Sequence, residues 1–201
     1  MLQACRIITV WVARSASQQR IQRTNSVASK LVLRPPLIRG SLGVEKEDKL
    51  SDLDVRIEEL EPMRVASVRA VGENPEHDAW EKLESWADAK GYLGNVEEHP
   101  IFGFNNPNPS PDRKDYGYEF WLRVPPDTES QDEIEIKDFP GGLYAVTTHK
   151  GYPNPEVWMS LWNWVQSSSY EWRKTNEIEK AHDPLASHDE MTFDLYLPIV
   201  K

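Results

Sequence analysis

One glutamate, Glu119, lies within a run of aromatic residues, Tyr116-Gly-Tyr-Glu-Phe-Trp-Leu122. Period-two alternation in this run is typical of a β-strand, with Glu119 and Trp121 on one face and Tyr118 and Phe120 on the other. The face of Tyr118 and Phe120 is expected to belong to the core. A carboxylate that is partly removed from water without a basic neighbour has a raised pKa or binds a cation. Glu119 is therefore the leading candidate for ligand binding, with Trp121 beside it.

Two other interpretations of Glu119 stay open. It is a solvent-exposed strand carboxylate, or it pairs with Arg123 on the same face of the strand. The sequence also leaves open whether the chain is an enzyme, although it favours a binding protein. If the chain is an enzyme, Glu119 is its candidate catalytic residue, because a carboxylate can position or activate water.

Polar and aromatic residues elsewhere are candidates for the same site. The loop 105–111 is rich in proline, and the side-chain amides of Asn105 and Asn106 in it are expected to face a ligand as part of a lid. The alternative is a plain connection between strands. Tyr144 and His149 fall in a later predicted strand and are expected to line the other half of the site. For His149 a purely structural role is the alternative.

Several kinds of chemistry have no motif in the chain. Its five histidines show no metal-ligand spacing, and its one cysteine, Cys5, excludes a cysteine-based zinc site. A glycine-rich phosphate loop and a nucleophilic serine motif are also absent from the sequence. The sequence therefore predicts a protein without a metal or other cofactor.

Composition narrows the function further. The chain has 201 residues, 39% of them hydrophobic, and a net charge of −10. Residues 51–201 carry 14 basic and 30 acidic side chains. Direct nucleic-acid binding by this acidic part is not expected, because phosphate contacts need a basic surface. No apolar run is long enough for a membrane span, and the lone cysteine favours a reducing, cytoplasmic location.

The first 44 residues contain no acidic side chain and are rich in arginine and serine. We interpret residues 1–51 as a basic, disordered extension, and residues 52–201 as the folded domain. Two alternatives stay open for the extension. It is an organellar transit peptide, which would change the predicted location, or an arm that contacts nucleic acid.

The folded part contains an internal duplication. Residues 55–72 and 134–151 both begin with alternating apolar and charged residues, break at a proline, resume with β-forming residues and end at glycine. Asn-Pro-Glu follows each copy, at 74–76 and 154–156, and is typical of a helix start. Trp158 lies in the second predicted helix and is both a candidate ligand contact and a candidate core residue.

The predicted fold class is α+β, with tandem strand-helix-strand-strand repeats. Two such repeats are expected to pair their antiparallel sheets about a pseudo-twofold axis, with two main helices and a cleft at the seam. The remaining predicted strands cover residues 101–104, 116–124 and 193–200.

These motifs in this order resemble the GyrI-like small-molecule-binding domain. The resemblance rests on the first repeat, the tryptophan-bearing first helix, the proline-rich loop, the strand of Glu119, and the closing Leu195-Tyr-Leu-Pro-Ile199. This family provides the effector-binding domain of some AraC-type and MerR-type transcription regulators, and it also has stand-alone members. No DNA-binding motif is recognisable in residues 1–50, so the resemblance favours a stand-alone member.

The resemblance implies three functions. The first is the binding of a planar or cationic organic molecule, as in multidrug sensing or sequestration, with Glu119 matching the glutamate that binds the cation. The second is hydrolysis of strained electrophiles of the cyclopropanoid type. The third is binding to a protein partner, either a regulator or a gyrase-like protein, because one family member inhibits DNA gyrase.

Overall fold

The structure, a computed structural model, describes residues 53–113, 115–187 and 190–201. The predictions for residues 1–51 lie outside these ranges. The described chain consists of two halves with the same order of elements. The first half contains β1 Arg56–Leu60, β2 Met63–Gly72, α1 Pro75–Ala89, β3 Ile101–Asn105 and β4 Tyr116–Arg123. The second half contains β5 Glu135–Phe139, β6 Gly142–Lys150, α2 Pro155–Ser167, β7 Glu171–Trp172, β8 Ile178–Ala181 and β9 Thr192–Val200.

The strands form an antiparallel sheet in the order β1-β6-β9-β8-β3-β4-β2-β5, with the short β7 pairing with β9. The counterparts in the two halves are β1 and β5, β2 and β6, β3 and β8, and β4 and β9. Counted from either edge of the sheet, these counterparts follow in the same order. The pseudo-twofold axis passes between β3 and β8, which pair at the seam. The α+β class and the pseudo-twofold repeat are therefore confirmed.

The two halves exchange their outer strands. β1 belongs to the first half but pairs with β6 of the second, and β5 belongs to the second half but pairs with β2 of the first. Each half therefore supplies one strand to the sheet of the other. This exchange brings residues that are far apart in the sequence into the same small region of the sheet.

The proline-containing breaks in the two repeats are where the exchanged strands turn into the next strand. A side chain at Gly141 would place its Cβ 2.2 Å from the carbonyl oxygen of Leu60, so the two connections pass in close contact. Gly141 also has a φ of 75°, a conformation that glycine adopts without strain. The connections are crossing points between the halves.

Both helices start at the predicted Asn-Pro-Glu motifs. Asn154 caps α2, since its side-chain oxygen accepts hydrogen bonds from the backbone N–H groups of Glu156 and Val157 at 3.0 Å each. Asn74 is at the equivalent position of α1 but makes no side-chain capping bond. Each helix buries one face against the outer side of its own half-sheet, through Leu83 in α1 and Leu161 in α2.

A third core cluster fills the opposite side of the sheet, away from the helices. It joins strands of both halves and is rich in rings, with Phe102, Phe104, Phe139, Tyr144 and Tyr196 as its buried aromatic members. The sheet thus has a helix side and a strand side, and the faces of β4 alternate between them. Tyr118 and Phe120 face the helix side, as predicted, and Glu119 and Trp121 face the strand side.

Two strands were missed in the sequence. β7 has two residues, and β8 has four with the sequence Ile-Glu-Lys-Ala. A strand this short shows too few alternations for its period to stand out against a loop. β8 forms the second half of the seam, where it pairs with β3.

Candidate functional site

Glu119 lies on β4 and is only 1% exposed. Its carboxylate accepts four hydrogen bonds from side chains. Ser67 on β2 donates at 2.7 Å, Asn106 at 2.6 Å, and the indole N–H of Trp121 at 2.6 Å. The ammonium of Lys137, on the exchanged strand β5, completes the set at 2.8 Å. The carboxylate therefore has a cation and three neutral donors within the protein itself.

These contacts determine the charge state of Glu119. Burial alone would raise its pKa, but the hydrogen bonds from Lys137, Ser67, Asn106 and Trp121 outweigh burial, and the pKa is lowered. Glu119 is ionised at neutral pH. The sequence had left a pairing with Arg123 open, but the base that it contacts is Lys137. An unpaired carboxylate with a raised pKa is not what the structure has at this position.

A glycine allows the loop to reach this carboxylate. A Cβ on Gly117 would lie 1.8 Å from the backbone oxygen of Asn106, so only glycine permits the chain at Asn106 to lie against β4. The backbone N–H of Asn106 also donates to the Gly117 oxygen at 2.7 Å. The Asn106 side chain therefore contacts Glu119 directly by a hydrogen bond, and its contact with a ligand stays a prediction.

Trp121 and Tyr144, also predicted site residues, meet in the aromatic cluster on the strand side. The ring of Trp121 packs edge-on against Phe104 at 4.6 Å and at a tilt against Phe139 at 5.4 Å. Tyr144 is 1% exposed, and the guanidinium of Arg173 lies over its ring at 5.3 Å. Both side chains are core residues of the strand side.

The second half of the molecule has a matching buried acid, Asp194 on β9, which is 5% exposed. It accepts a hydrogen bond from the Thr148 hydroxyl at 2.6 Å and contacts Arg56 at 2.9 Å and His182 at 3.0 Å. Burial would raise the pKa of Asp194, but these three partners outweigh burial and lower it. Asp194 is therefore a second internally neutralised carboxylate.

The strand registers identify Asp194 as the counterpart of Glu119. Arg69 pairs with Glu119 across β2 and β4, and Thr148 pairs with Asp194 across β6 and β9. Arg69 and Thr148 have the same place in the two repeats. In both halves the exchanged strand supplies the base, which is Lys137 on β5 for Glu119 and Arg56 on β1 for Asp194.

A different carboxyl group, Glu179 on β8, lies on the helix side of the sheet at the seam. Its Cα pairs with Gly103 of β3, and the Tyr118 hydroxyl donates to its carboxyl at 3.1 Å. A Cβ at residue 103 would lie 2.4 Å from the Tyr118 hydroxyl, so glycine there makes room for the ring. Among the described residues, no basic side chain forms an ion pair with Glu179.

The surroundings of Glu179 favour its neutral form. Burial raises its pKa to about 7, against the opposing effect of the donors Tyr118 and Trp158, and the negative charge of Glu76 adds to the rise. Glu76, in the first turn of α1, accepts hydrogen bonds from the Tyr116 hydroxyl at 2.6 and 2.7 Å. Two acids and three aromatic side chains thus converge at the seam between the helices.

Trp158, one of the predicted site residues, lies near Glu179 at the seam. It lies on α2, and its indole N–H lowers the pKa of Glu179. Of the predicted site residues, Asn106 and Trp121 surround Glu119, whereas Trp158 lies near Glu179. Asn105 ends β3 and pairs with Tyr118 of β4. His149 pairs with Phe193 near the end of β6.

Two features of the described residues bear on metal binding and on membrane insertion. Within residues 53–113, 115–187 and 190–201, no group of three or more potential metal ligands converges. In the same ranges, neither helix has the length and apolar character that crossing a membrane requires.

Solved structures that match this chain with TM-scores above 0.5 have the same fold. The chain matches the C-terminal domain of EcmrR with a TM-score of 0.58 and 15% identity, over 75% of this chain and 99% of that domain. A hydrolase encoded by lin2189 from Listeria innocua matches with a TM-score of 0.54 and 14% identity, over 77% and 96% of the two chains. SAV2435 bound to tetraphenylphosphonium matches with a TM-score of 0.46 and 10% identity, over 74% and 94%.

This chain spans only part of the length of the EcmrR protein. Its match to the EcmrR chain of the EcmrR–DNA complex has a TM-score of 0.59 and 15% identity. The match covers 77% of this chain and 60% of the EcmrR chain. Comparison with curated protein sequences finds no match. The model of the Cass2 family, the integron-associated effector binding proteins, matches residues 56–199, in agreement with the resemblance that the motifs indicated. The repeat, the seam and this match together show that the chain belongs to the Cass2 family of effector binding proteins.

Proposed function

We propose that this protein binds a small organic cation with aromatic or apolar groups at the seam between the two helices, with Glu179 as the counter-ion. The observation that carries the proposal is the contrast in partners. Glu119 and Asp194 have bases of their own, whereas Glu179 has none among the described residues. A half-buried carboxyl in that position gains most from a cation supplied by a ligand.

The other groups at the seam fit an aromatic or lipophilic cation. The rings of Tyr118 and Trp158 offer apolar area and faces that attract positive charge. The charge excess of the acidic part also attracts cations over longer distances.

Glu119 fits a structural role better than a ligand-binding role. Its oxygen atoms already accept four hydrogen bonds, and a cationic ligand would have to displace Lys137 from a contact of 2.8 Å. The prediction that Glu119 binds the ligand stays a prediction, and the experiment below tests it with its own variant.

The proposal is tested with tetraphenylphosphonium, a permanent cation with four aromatic rings, by isothermal titration calorimetry. Glu179→Gln should weaken binding at least about tenfold, because it removes the Coulomb attraction between the carboxylate and the phosphonium charge, about 1–4 kcal/mol between bulk water and a protein surface. Glu177→Gln is the matched control, since Glu177 is also a half-buried carboxyl with a pKa raised by burial. The control should bind as the unmodified chain does.

Proton release gives a second measurement in the same experiment. A cation beside Glu179 favours the ionised carboxylate, so binding near pH 7 should release a proton, and affinity should rise with pH through about 7. Titrations in buffers of different ionisation enthalpy measure that proton. Equal affinity for the unmodified chain and Glu179→Gln would overturn the proposal, and loss of binding in Glu119→Gln alone would move the site to Glu119.

A second candidate function is hydrolysis, and it also rests on Glu179. A carboxyl group with a pKa of about 7 beside the Tyr118 hydroxyl is suited to accept and donate a proton near neutral pH. The predicted substrates are strained electrophiles. Turnover of such a compound that is lost in Glu179→Gln and kept in Glu177→Gln would support hydrolysis, whereas binding without turnover would support the effector role.

A further inference from the structure

A cavity of about 390 Å³ lies beside Glu119 on the strand side of the sheet, opposite the face that carries Glu179. Its lining is entirely polar and includes no ring. The lining residues are Ser67, Arg69, Asn106, Glu119, Glu133, Glu135 and Lys137. Its volume is within the range of small-molecule sites, but its chemistry differs from that of the seam. An aromatic cation would lose its hydration there without gaining apolar contacts.

The lining charges are unevenly paired. Lys137 is shared between two carboxylates, at 2.8 Å from Glu119 and 3.2 Å from Glu135. Glu133 has a base of its own, Lys82, at 2.8 Å. Arg69 is exposed, and no ion pair or side-chain hydrogen bond to it is seen among the described residues. Arg69 thus has no counter-ion among the described residues, and Glu135 shares its counter-ion, Lys137, with Glu119.

We infer that this cavity binds a small hydrophilic zwitterion, of which a free α-amino acid is the simplest example. Its carboxylate pairs with the guanidinium of Arg69, which is suited to hold a carboxylate through two parallel hydrogen bonds. Its ammonium group pairs with Glu135, the carboxylate that shares Lys137. The floor of the cavity is formed by Ser67 and Glu119, which are 2% and 1% exposed and are hydrogen-bonded to each other.

Simple ions fit this lining less well than a zwitterion does. Three carboxylates and two bases line the cavity, so a simple anion meets net repulsion. A simple cation meets the unpaired charge of Arg69. A zwitterion places each of its charges beside the opposite sign. This inference does not rest on the proposed function, because the two sites lie on opposite faces of the sheet and share none of the contacts described.

The test begins with the twenty free L-amino acids, screened at millimolar concentration against the full chain by NMR. The amino acid that binds most tightly is then compared with its N-acetyl derivative and its α-amide. Both derivatives should bind at least about tenfold more weakly, since each removes one charge-assisted contact. Equal binding of the N-acetyl derivative would show a simple anion site, and equal binding of the amide a simple cation site; either result overturns the inference.

Variants of the lining residues test where the amino acid binds. Arg69→Gln and Glu135→Gln should each weaken the binding of the amino acid at least about tenfold. Arg123→Gln, an exposed arginine at the other end of the paired strand β4, is the matched control and should leave affinity unchanged. Tetraphenylphosphonium should not compete with the amino acid. Competition between the two, or no binding by any of the twenty amino acids, would overturn the inference while leaving the proposal for Glu179 testable on its own.

Discussion

Glu119 and Glu179 are both removed from water, on opposite sides of the same sheet, yet their surroundings differ. Glu119 contacts a lysine and three neutral donors, and its pKa is lowered. Glu179 contacts a tyrosine hydroxyl without a basic partner in the described ranges, and burial raises its pKa to about 7. Burial alone therefore does not determine the direction of a carboxyl's pKa shift; the supply of positive charge from the protein does.

The duplication explains which carboxylates receive a base from the protein. Glu119 and Asp194 are counterparts in the two halves, and each has a base from the strand that the other half contributes. Glu179 lies at the pseudo-twofold axis, where β3 and β8 meet and neither exchanged strand is adjacent. The contrast predicts that Glu119 stabilises the fold and that Glu179 is a cost to it.

The largest expected effect is on Glu119. Glu119→Ala leaves Ser67, Asn106, Trp121 and Lys137 without their shared acceptor, so the free energy of unfolding should fall by about 3–5 kcal/mol. Urea denaturation followed by tryptophan fluorescence measures the change. A loss below about 1 kcal/mol would mean that water replaces the carboxylate easily and that the contrast with Glu179 is not structural.

Removal of the Lys137 ammonium group should make the surroundings of Glu119 more like those of Glu179, which has no basic partner among the described residues. Lys137→Met leaves Glu119 with neutral donors only, which raises its pKa and should cost about 1–3 kcal/mol at neutral pH. A lowered pKa contributes stability above the usual carboxyl range, and this stability is lost as pH falls through the folded-state pKa. The variant should therefore begin acid unfolding at a higher pH than the unmodified chain, as circular dichroism would show. An unchanged acid transition would contradict the assigned role of Lys137.

Glu179 should show the opposite dependence on pH. Because its pKa is raised from 4.5 to about 7, the stability that its neutral form contributes is present below pH 4.5 and is lost as pH rises through 7. Glu179→Gln cannot ionise, so it should gain about 1–2 kcal/mol relative to the unmodified chain between about pH 5 and pH 8. Thermal melts across that range measure the difference. A constant difference at every pH would show that Glu179 does not titrate there.

The smallest expected effect concerns the counterpart in the second half. Thr148→Val removes one donor from Asp194 and leaves Arg56 and His182 in place, so stability should fall by about 0.5–1.5 kcal/mol. Ser67→Ala makes the matching change at Glu119 and should cost a similar amount. Urea denaturation of the two variants side by side tests whether the acids are energetic as well as geometric counterparts.

Much of this fold could be predicted from local patterns. The two repeats, the helix starts and the alternation of β4 are set by residues close together in the chain, and the structure agrees with them. β8 was missed because four residues carry too little periodicity, and Glu179 was missed with it. A carboxyl in a short polar segment has no local feature that distinguishes it from a surface residue.

The placement of Glu119 shows the same limit. Its face of the strand followed from alternation, but its hydrogen bond with Asn106 depends on how the loop lies against Gly117. The partner Lys137 was not predicted, because it reaches Glu119 only through the exchange of β5 onto β2. His149 was expected to share the site, but its place at the end of β6 follows from the register with β9.

The sequence by itself determined the elements, their duplication and which side chains share a strand face, because these depend on spacing along the chain. The tertiary structure alone decided which acids are neutralised and which one has no basic partner among the described residues. That outcome depends on long-range strand pairing, where a crossing of two connections brings a base to Glu119 and to Asp194 and leaves Glu179 among rings.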